Sequence, residues 1–186
     1  MTIVPDTKNW TWVLERPCPD CGFDASMVEP ASVPEALRAN AREWTVLLAH
    51  PAVRVRPRPD QWSALEYGCH VRDVFRLFDD RLRLMLDQDD ARFANWDQDE
   101  TAIADRYAEQ DPETVLRDLQ TAAEVLAARF DGVHGDQWER TGTRSDGARF
   151  SIAAFSRYLL HDPVHHVYDV EAGYAILPPP SLPSPA

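Results

Sequence analysis

Four stretches of this chain repeat apolar side chains every three or four residues, and each opens on a signal for starting a helix. The first begins at Ser32-Val-Pro-Glu35, where Ser32 can cap the helix and Glu35 can answer from the third position. It carries Leu37, Ala41, Trp44 and Leu48 and stops at His50-Pro51. The second opens at Ser63-Ala-Leu-Glu66 with the same capping pattern, and its stripe runs through Leu65, Cys69, Val74, Leu77, Phe78, Leu82 and Met85 towards Gln88. The third starts at Asp111-Pro112, an N-cap followed by proline at the first helical position, and continues through Val115, Leu119, Ala122, Leu126 and Phe130 to Gly132. A turn at Ser145-Asp-Gly147 leads to the fourth, from Phe150 or Ser151 to Glu171. Residues 101–109 are expected to add a short helical piece. No segment shows convincing strand alternation, so the fold class predicted is all-α, a four-helix bundle. Periodicity leaves the packing order of the helices open.

Outside these helices the chain changes character. Residues 1–31 read as an irregular but ordered arm, in which Trp10, Trp12, Val13 and Leu14 can pack on the body while RPCPDCGFD forms turns. Residues 32–176 form the bundle. Residues 177–186, dominated by proline, are expected to be a disordered or polyproline-like tail. The acidic run DQDDARFANWDQDE is read most simply as a solvated loop that could edge a pocket.

Composition narrows the function. At 186 residues, with 44% hydrophobic and 27% charged side chains, the chain suits one globular domain with a core of its own. A net charge of -12 opposes the phosphate backbone of a nucleic acid, which proteins neutralise with Lys and Arg. No run approaches the ~18 apolar residues of a membrane span, no signal-peptide pattern opens the chain, and three cysteines are too few for a disulfide scaffold. A cytoplasmic protein with a small-molecule substrate is expected, without nucleic acid or membrane; a homodimer is left open. Eighteen of the nineteen basic residues are arginine and only Lys8 is lysine, a bias read as that of a high-GC genome.

The chemistry concentrates in histidine. Of six, three fall in the run His161-Asp-Pro-Val-His165-His166. Positions i and i+4 share a helix face with Cβ atoms about 5–6 Å apart, the spacing two ligands of one metal ion need. His161 and His165 are therefore candidate ligands. His70, two turns into the second helix, reads by itself as a core histidine hydrogen-bonded to a carbonyl; joined with the pair on the fourth helix it becomes the candidate third ligand of a site in the bundle core. Pro163 removes a backbone donor and is expected to kink or widen its turn, which leaves His166 as an alternative to His165. Glu66, Asp73, Asp162 and Asp169 lie within a turn of the histidines. Asp73 or Asp162 could hold the second ring nitrogen of a ligating imidazole, and Asp73, Asp162 and His166 are the candidates to support the site. Glu66 is already explained by its capping box. Tyr67 and Tyr158 could reach a substrate but at helical spacing read as packing.

Trp62-Ser63-Ala-Leu-Glu66-Tyr-Gly-Cys69-His70 early in the chain and His161-Asp-Pro-Val-His165 near its end resemble the DinB-like superfamily of small four-helix metalloproteins. The resemblance spans residues 32–176. It implies a three-histidine site of His70, His161 and His165, holding a divalent metal ion, with zinc first and nickel, iron or manganese as alternatives. Such a site leaves a position open, which can take a thiol or water. Superfamily members similar to this chain include mycothiol- and bacillithiol-dependent S-transferases. The activity implied is transfer of a low-molecular-weight thiol, a cosubstrate, to an electrophilic small molecule, and the high-GC bias favours mycothiol. A metal-dependent hydrolase and a non-catalytic metal-binding stress protein are the alternatives.

Cys18-Pro-Asp-Cys21-Gly supplies half the ligands of a zinc knuckle. It reads as a simple turn, a redox-sensitive pair, or a metal site completed by a partner. Being remote in sequence from the histidines, both cysteines are expected to be dispensable to the bundle's metal. Cys69 reads as a small buried hydrophobe.

Overall fold

The structure, a computed structural model, describes residue 3 and residues 9–178; the proline-rich tail lies outside the described residues from 179 on. The described residues form five α-helices: α1 (Val33–Leu48), α2 (Ala64–Asp87), α3 (Gln98–Ala104), α4 (Pro112–Asp131) and α5 (Ile152–Ile176). The four long ones make the bundle and α3 is a short addition to it. The helical piece expected over 101–109 is α3 together with a 3-10 turn at Tyr107–Glu109.

Local chemistry sets most of the helix starts. Ser63 and Glu66 form the complete capping box of α2: the Ser63 hydroxyl accepts from the Glu66 amide and the Glu66 carboxylate accepts from the Ser63 amide. Asp111 caps α4 by accepting from the Thr114 amide at 2.9 Å, and Ser151 caps α5 by accepting from the Ala154 amide at 3.2 Å. The capping box expected at Ser32 is not formed. A 3-10 turn over Pro30–Ser32 already gives Ser32 helical dihedrals, so its hydroxyl donates back to the Glu29 carbonyl instead.

In the bundle α4 packs against both α1 and α2, and α5 closes the ring by contacting the same two helices from the other side. α1 and α2 therefore face each other across the diagonal. Trp44, Phe75, Leu126, Phe130 and Phe155 are fully buried between them. One polar bridge crosses this core: Asn40 of α1 accepts from the Trp44 indole and donates to the Pro163 carbonyl of α5 at 3.0 Å. α5 remains a continuous α-helix through Pro163.

α5 is buried around most of its circumference, at positions including Phe155, Leu159, His161, Pro163, His165, Val167 and Val170. The N-terminal arm is the reason. Its 3-10 turns at Trp10–Leu14, Ala25–Met27 and Pro30–Ser32 lie on α5, burying Val13, Cys18 and Ala25. A helix covered on two sides loses the one-faced apolar stripe of a surface helix.

A three-stranded sheet, not anticipated from the sequence, closes one end. β1 (Ala91–Phe93) runs parallel to β2 (Thr141–Arg144), which pairs antiparallel with β3 (Arg149–Ser151). The predicted turn at Ser145-Asp-Gly147 is the hairpin between β2 and β3, with Gly147 at φ +92° where other residues would be strained. Gly142 allows close packing: a Cβ there would lie 2.7 Å from Phe93 Cε1 and 2.8 Å from Met85 Cγ. The acidic run is thus more than a solvated loop, since it contains β1. The Ser145 amide donates to the Phe93 carbonyl and the Asn95 amide to the Ser145 hydroxyl, which fixes Asn95 and Trp96 against the bundle.

Candidate metal centres on two sides of α5

The structure separates the three histidines singled out in the sequence. His70 of α2 faces Asp162 and His166 of α5, and one ligand atom from each lies within 4.8 Å of the others. His161 and His165 instead face the arm, where they converge within the same distance with Cys18 and Cys21. The set His70, His161 and His165 is not brought together as one cluster. The cause is helical phase: 161/165 and 162/166 are both i,i+4 pairs, one residue and therefore about 100° apart round α5. One pair faces His70 and the other the two cysteines of the arm, and both border the same cavity.

The inner cluster has its donor atoms aimed at a common point. His70 Nε2 lies 3.4 Å from Asp162 Oδ1, and His166 Nε2 lies 3.7 Å from the same oxygen. Three ligands at about 2.0–2.2 Å from a shared zinc ion would stand about 3.3–3.6 Å apart in tetrahedral geometry. His70 Nε2 and Asp162 Oδ1 are buried and have no hydrogen-bond partner among the described residues. Unpaired buried polar atoms are costly, and a cation between them would remove the cost. Burial alone would raise the Asp162 carboxyl, but His70 and His166 beside it hold it down at about 2, so it stays ionised. The residues fit a divalent ion.

Neighbouring groups fix this cluster in place. Asp169, one turn beyond His166, sits 2.9 Å from its Nδ1 and leaves Nε2 directed at Asp162. Trp96 stacks on the His70 ring at 5.3 Å with the planes 10° apart, and Trp62 lies against the same imidazole. Tyr67 packs on His166 with ring centres 4.9 Å apart. Asp73, expected as a support, has other partners: it is bound by the Arg72 guanidinium at 2.8 and 2.9 Å and by the Tyr107 hydroxyl at 2.6 Å. Its carboxyl is held low against the effect of burial by those donors. Asp162, also expected behind an imidazole, stands among the donor atoms instead. Cys69 is fully buried, donating to the Tyr107 carbonyl, and burial pushes its thiol up to about 12.

Asp162 and His166 line a cavity of about 460 Å³ that extends to Trp10, Trp96, Arg81 and Tyr158. Arg81 is buried, packs over the Phe78 and Phe93 rings, and donates to the Ala94 carbonyl at 2.8 Å. Its Nε has no hydrogen-bond partner among the described residues. Burial, reinforced by Arg144, lowers its pKa to about 10, which leaves it cationic near neutrality. Arg144, at the same cavity, is paired with Asp146 and donates to the Tyr158 hydroxyl.

On the arm side, Cys18 Sγ stands 3.5 Å from His165 Nδ1. Burial, and then the adjacent His165, lower the His161 pKa to about 4; burial also lowers that of His165. Both imidazoles are neutral at physiological pH, the form that ligates metals. Burial raises the Cys21 thiol to about 11. Trp10 and Phe23 shield this cluster, each with its ring centre within 5.5 Å of the His161 ring.

A four-helix bundle with histidine and carboxylate converging from two facing helices is an architecture in which helical proteins build metal sites. Residues 34–170 match the family model of the DinB superfamily, and the chain belongs to that superfamily. Among solved structures the chain is similar to YfiT from Bacillus subtilis, described as a probable metal-dependent hydrolase with an unusual four-helix bundle topology. The two share 15% identity over 78% of this chain and 86% of YfiT with a TM-score of 0.65, a likeness of fold. No curated protein matches the chain. Among the described residues no helix is long and apolar enough to cross a membrane.

Proposed function

We propose that this protein is a metal-dependent enzyme that transfers a low-molecular-weight thiol, mycothiol or a relative of it, to a small electrophile carrying an acidic group. The observation that carries the metal-dependent reading is the convergence of His70, Asp162 and His166, in which His70 Nε2 and Asp162 Oδ1 are buried without a hydrogen-bond partner among the described residues, beside a 460 Å³ cavity. Two neutral imidazoles and one carboxylate leave a divalent ion with one uncompensated positive charge and room for a further ligand. When bound there, the ion supplies the positive charge that lowers the pKa of a thiol or a water.

The protein's own groups do the rest. Asp169 orients His166, and Trp96 and Trp62 clamp the fully buried His70. Arg81 supplies a buried cation whose Nε has no hydrogen-bond partner among the described residues, and an anionic substituent of the substrate would neutralise it. Hydrolysis is the second reading. It draws support from the description of YfiT and needs no change in the ligand set.

The test is to incubate the zinc-loaded protein with a chromogenic electrophile bearing a carboxylate, with and without mycothiol, bacillithiol or glutathione. Thiol consumption matched by product, and lost in His166→Ala, supports transfer. Product formed at the same rate without any thiol supports hydrolysis. Turnover that persists after complete metal removal overturns both.

A further inference from the structure

The structure assigns Cys18, Cys21, His161 and His165 to a second, closed metal site of the Cys2His2 type, a zinc staple that ties the N-terminal arm to α5. It is separate from the centre at His70, Asp162 and His166, shares no ligand with it, and does not depend on the function proposed above.

Three observations carry it. First, the four donor atoms all lie within 4.8 Å of one another, although two come from residues 18 and 21 and two from residues 161 and 165. Second, the spacing is that of a shared ion. Zinc–sulfur and zinc–nitrogen bonds of about 2.3 and 2.0–2.1 Å set a mixed S–N edge of about 3.5–3.6 Å in a tetrahedron. Cys18 Sγ and His165 Nδ1 stand 3.5 Å apart. Third, His161 Nε2 is buried without a hydrogen-bond partner among the described residues. A thiol–imidazole hydrogen bond between Cys18 and His165 accounts for that one contact but not for the convergence of Cys21 and His161 on it.

The backbone around the cysteines is shaped for the purpose. The Gly22 amide donates to the Cys18 carbonyl and the Cys18 amide to the Phe23 carbonyl, so the chain turns tightly and both thiols emerge on one side. Gly22 sits at φ +75°, where a side chain would be strained. On α5 the i,i+4 spacing of His161 and His165 presents two imidazoles from one face.

Charge decides which ion suits the site and what the site does. Metal binding forms two metal–sulfur bonds and releases the two thiol protons to solvent, so a divalent ion with two thiolates and two imidazoles is neutral overall. A neutral, four-coordinate S2N2 set under Trp10 and Phe23 is a closed structural site, and its donors favour zinc. The inner centre, with three ligands and a residual positive charge, has the opposite character. Trp10 lies against His161 and His165 and also lines the cavity, so the staple fixes one wall of the pocket.

Cobalt substitution in the full-length protein tests the assignment. Metal-free wild type titrated with Co²⁺ should take up two ions per chain. One should give the thiolate-to-cobalt charge-transfer band and the intense visible bands of tetrahedral coordination. Cys18→Ser/Cys21→Ser should lose that band and bind one ion; His70→Ala should bind one ion fewer yet keep the band. Cys69→Ala should keep both. The wild-type spectrum stands by itself if a variant fails to fold. Absence of a charge-transfer band from reduced wild type, or unchanged stoichiometry in the double cysteine variant, overturns the proposal. The first outcome would leave a hydrogen-bonded thiol or a redox-active pair.

Discussion

Asp169 holds His166 from behind: its Oδ2 is 2.9 Å from Nδ1, while its other oxygen lies 3.7 Å from His165 Nε2. One carboxylate thus braces imidazoles that belong to two different clusters. Its contact with His166 is the shorter and better formed. A carboxylate in that position fixes the tautomer and orientation of a ligating imidazole and raises its basicity. Asp169→Asn should weaken zinc binding at the inner centre by about 10–100-fold. The cobalt–thiolate band of the arm site should survive. Competition titrations against a chromogenic chelator measure the first effect, and unchanged affinity would show that the brace is idle.

Arg81 is a buried guanidinium whose Nε has no hydrogen-bond partner among the described residues, at the cavity that Asp162 and His166 line. Arg81→Met keeps most of the aliphatic packing over Phe78 and Phe93 while removing the charge. For an acidic electrophile KM should rise about 10–100-fold, the equivalent of about 1.5–3 kcal/mol for a charged hydrogen bond, with kcat little changed. For a neutral analogue KM should hardly move. Equal effects on both substrates would remove Arg81 from substrate recognition.

Glu66 links stability to pH. Burial opposes its charge, but hydrogen bonds from Arg56 and from the Ser63 amide and hydroxyl outweigh burial and hold its pKa below the usual range. A lowered folded-state pKa gives stabilisation that is present above the unfolded pKa of about 4.3 and is lost as pH falls through the folded value. In chelator-treated protein, Glu66→Gln should cost about 1–3 kcal/mol at pH 7. The gap between wild type and variant should close as the pH is lowered from 5 to 3. Urea midpoints across that range decide it; a constant gap would mean that Glu66 acts through packing alone.

Gly142 meets the side chains of both Phe93 and Met85, and a methyl group there has no room. Gly142→Ala should destabilise the protein by about 1–3 kcal/mol through overpacking. Because the sheet positions Trp96 over His70, metal affinity at the inner centre should fall as well. Thermal unfolding and zinc titration of the same sample test both effects. An unchanged melting temperature would show that the sheet can spread without cost.

The linear sequence determined the four long helices, because capping residues, prolines and apolar repeats act over a few residues and were legible at Ser63, Glu66, Asp111, Pro112 and Gly132. It also marked the chemistry, since the DinB-like pattern around His70 and His161-to-His166 lies within two helices. The strands were not legible: three or four residues are too few to alternate, and β1 pairs with β2 across some fifty positions. Nor was the division of the histidine run. Reading ligands as histidine alone favours 161 and 165, although Asp162 and His166 had the same i,i+4 spacing and a carboxylate ligates equally well. Which pair meets His70 depends on the rotation of α5 about its own axis. Packing between α1, α2 and the arm sets that rotation. Distance along the chain separates the cysteines from the histidines, yet the arm folds back and places Cys18 3.5 Å from His165, 147 positions away. Helical propensity is a local free energy and can be read in sequence order. The phase of a buried helix and the partners on each of its sides come from simultaneous packing of distant segments, and only the tertiary structure could decide them.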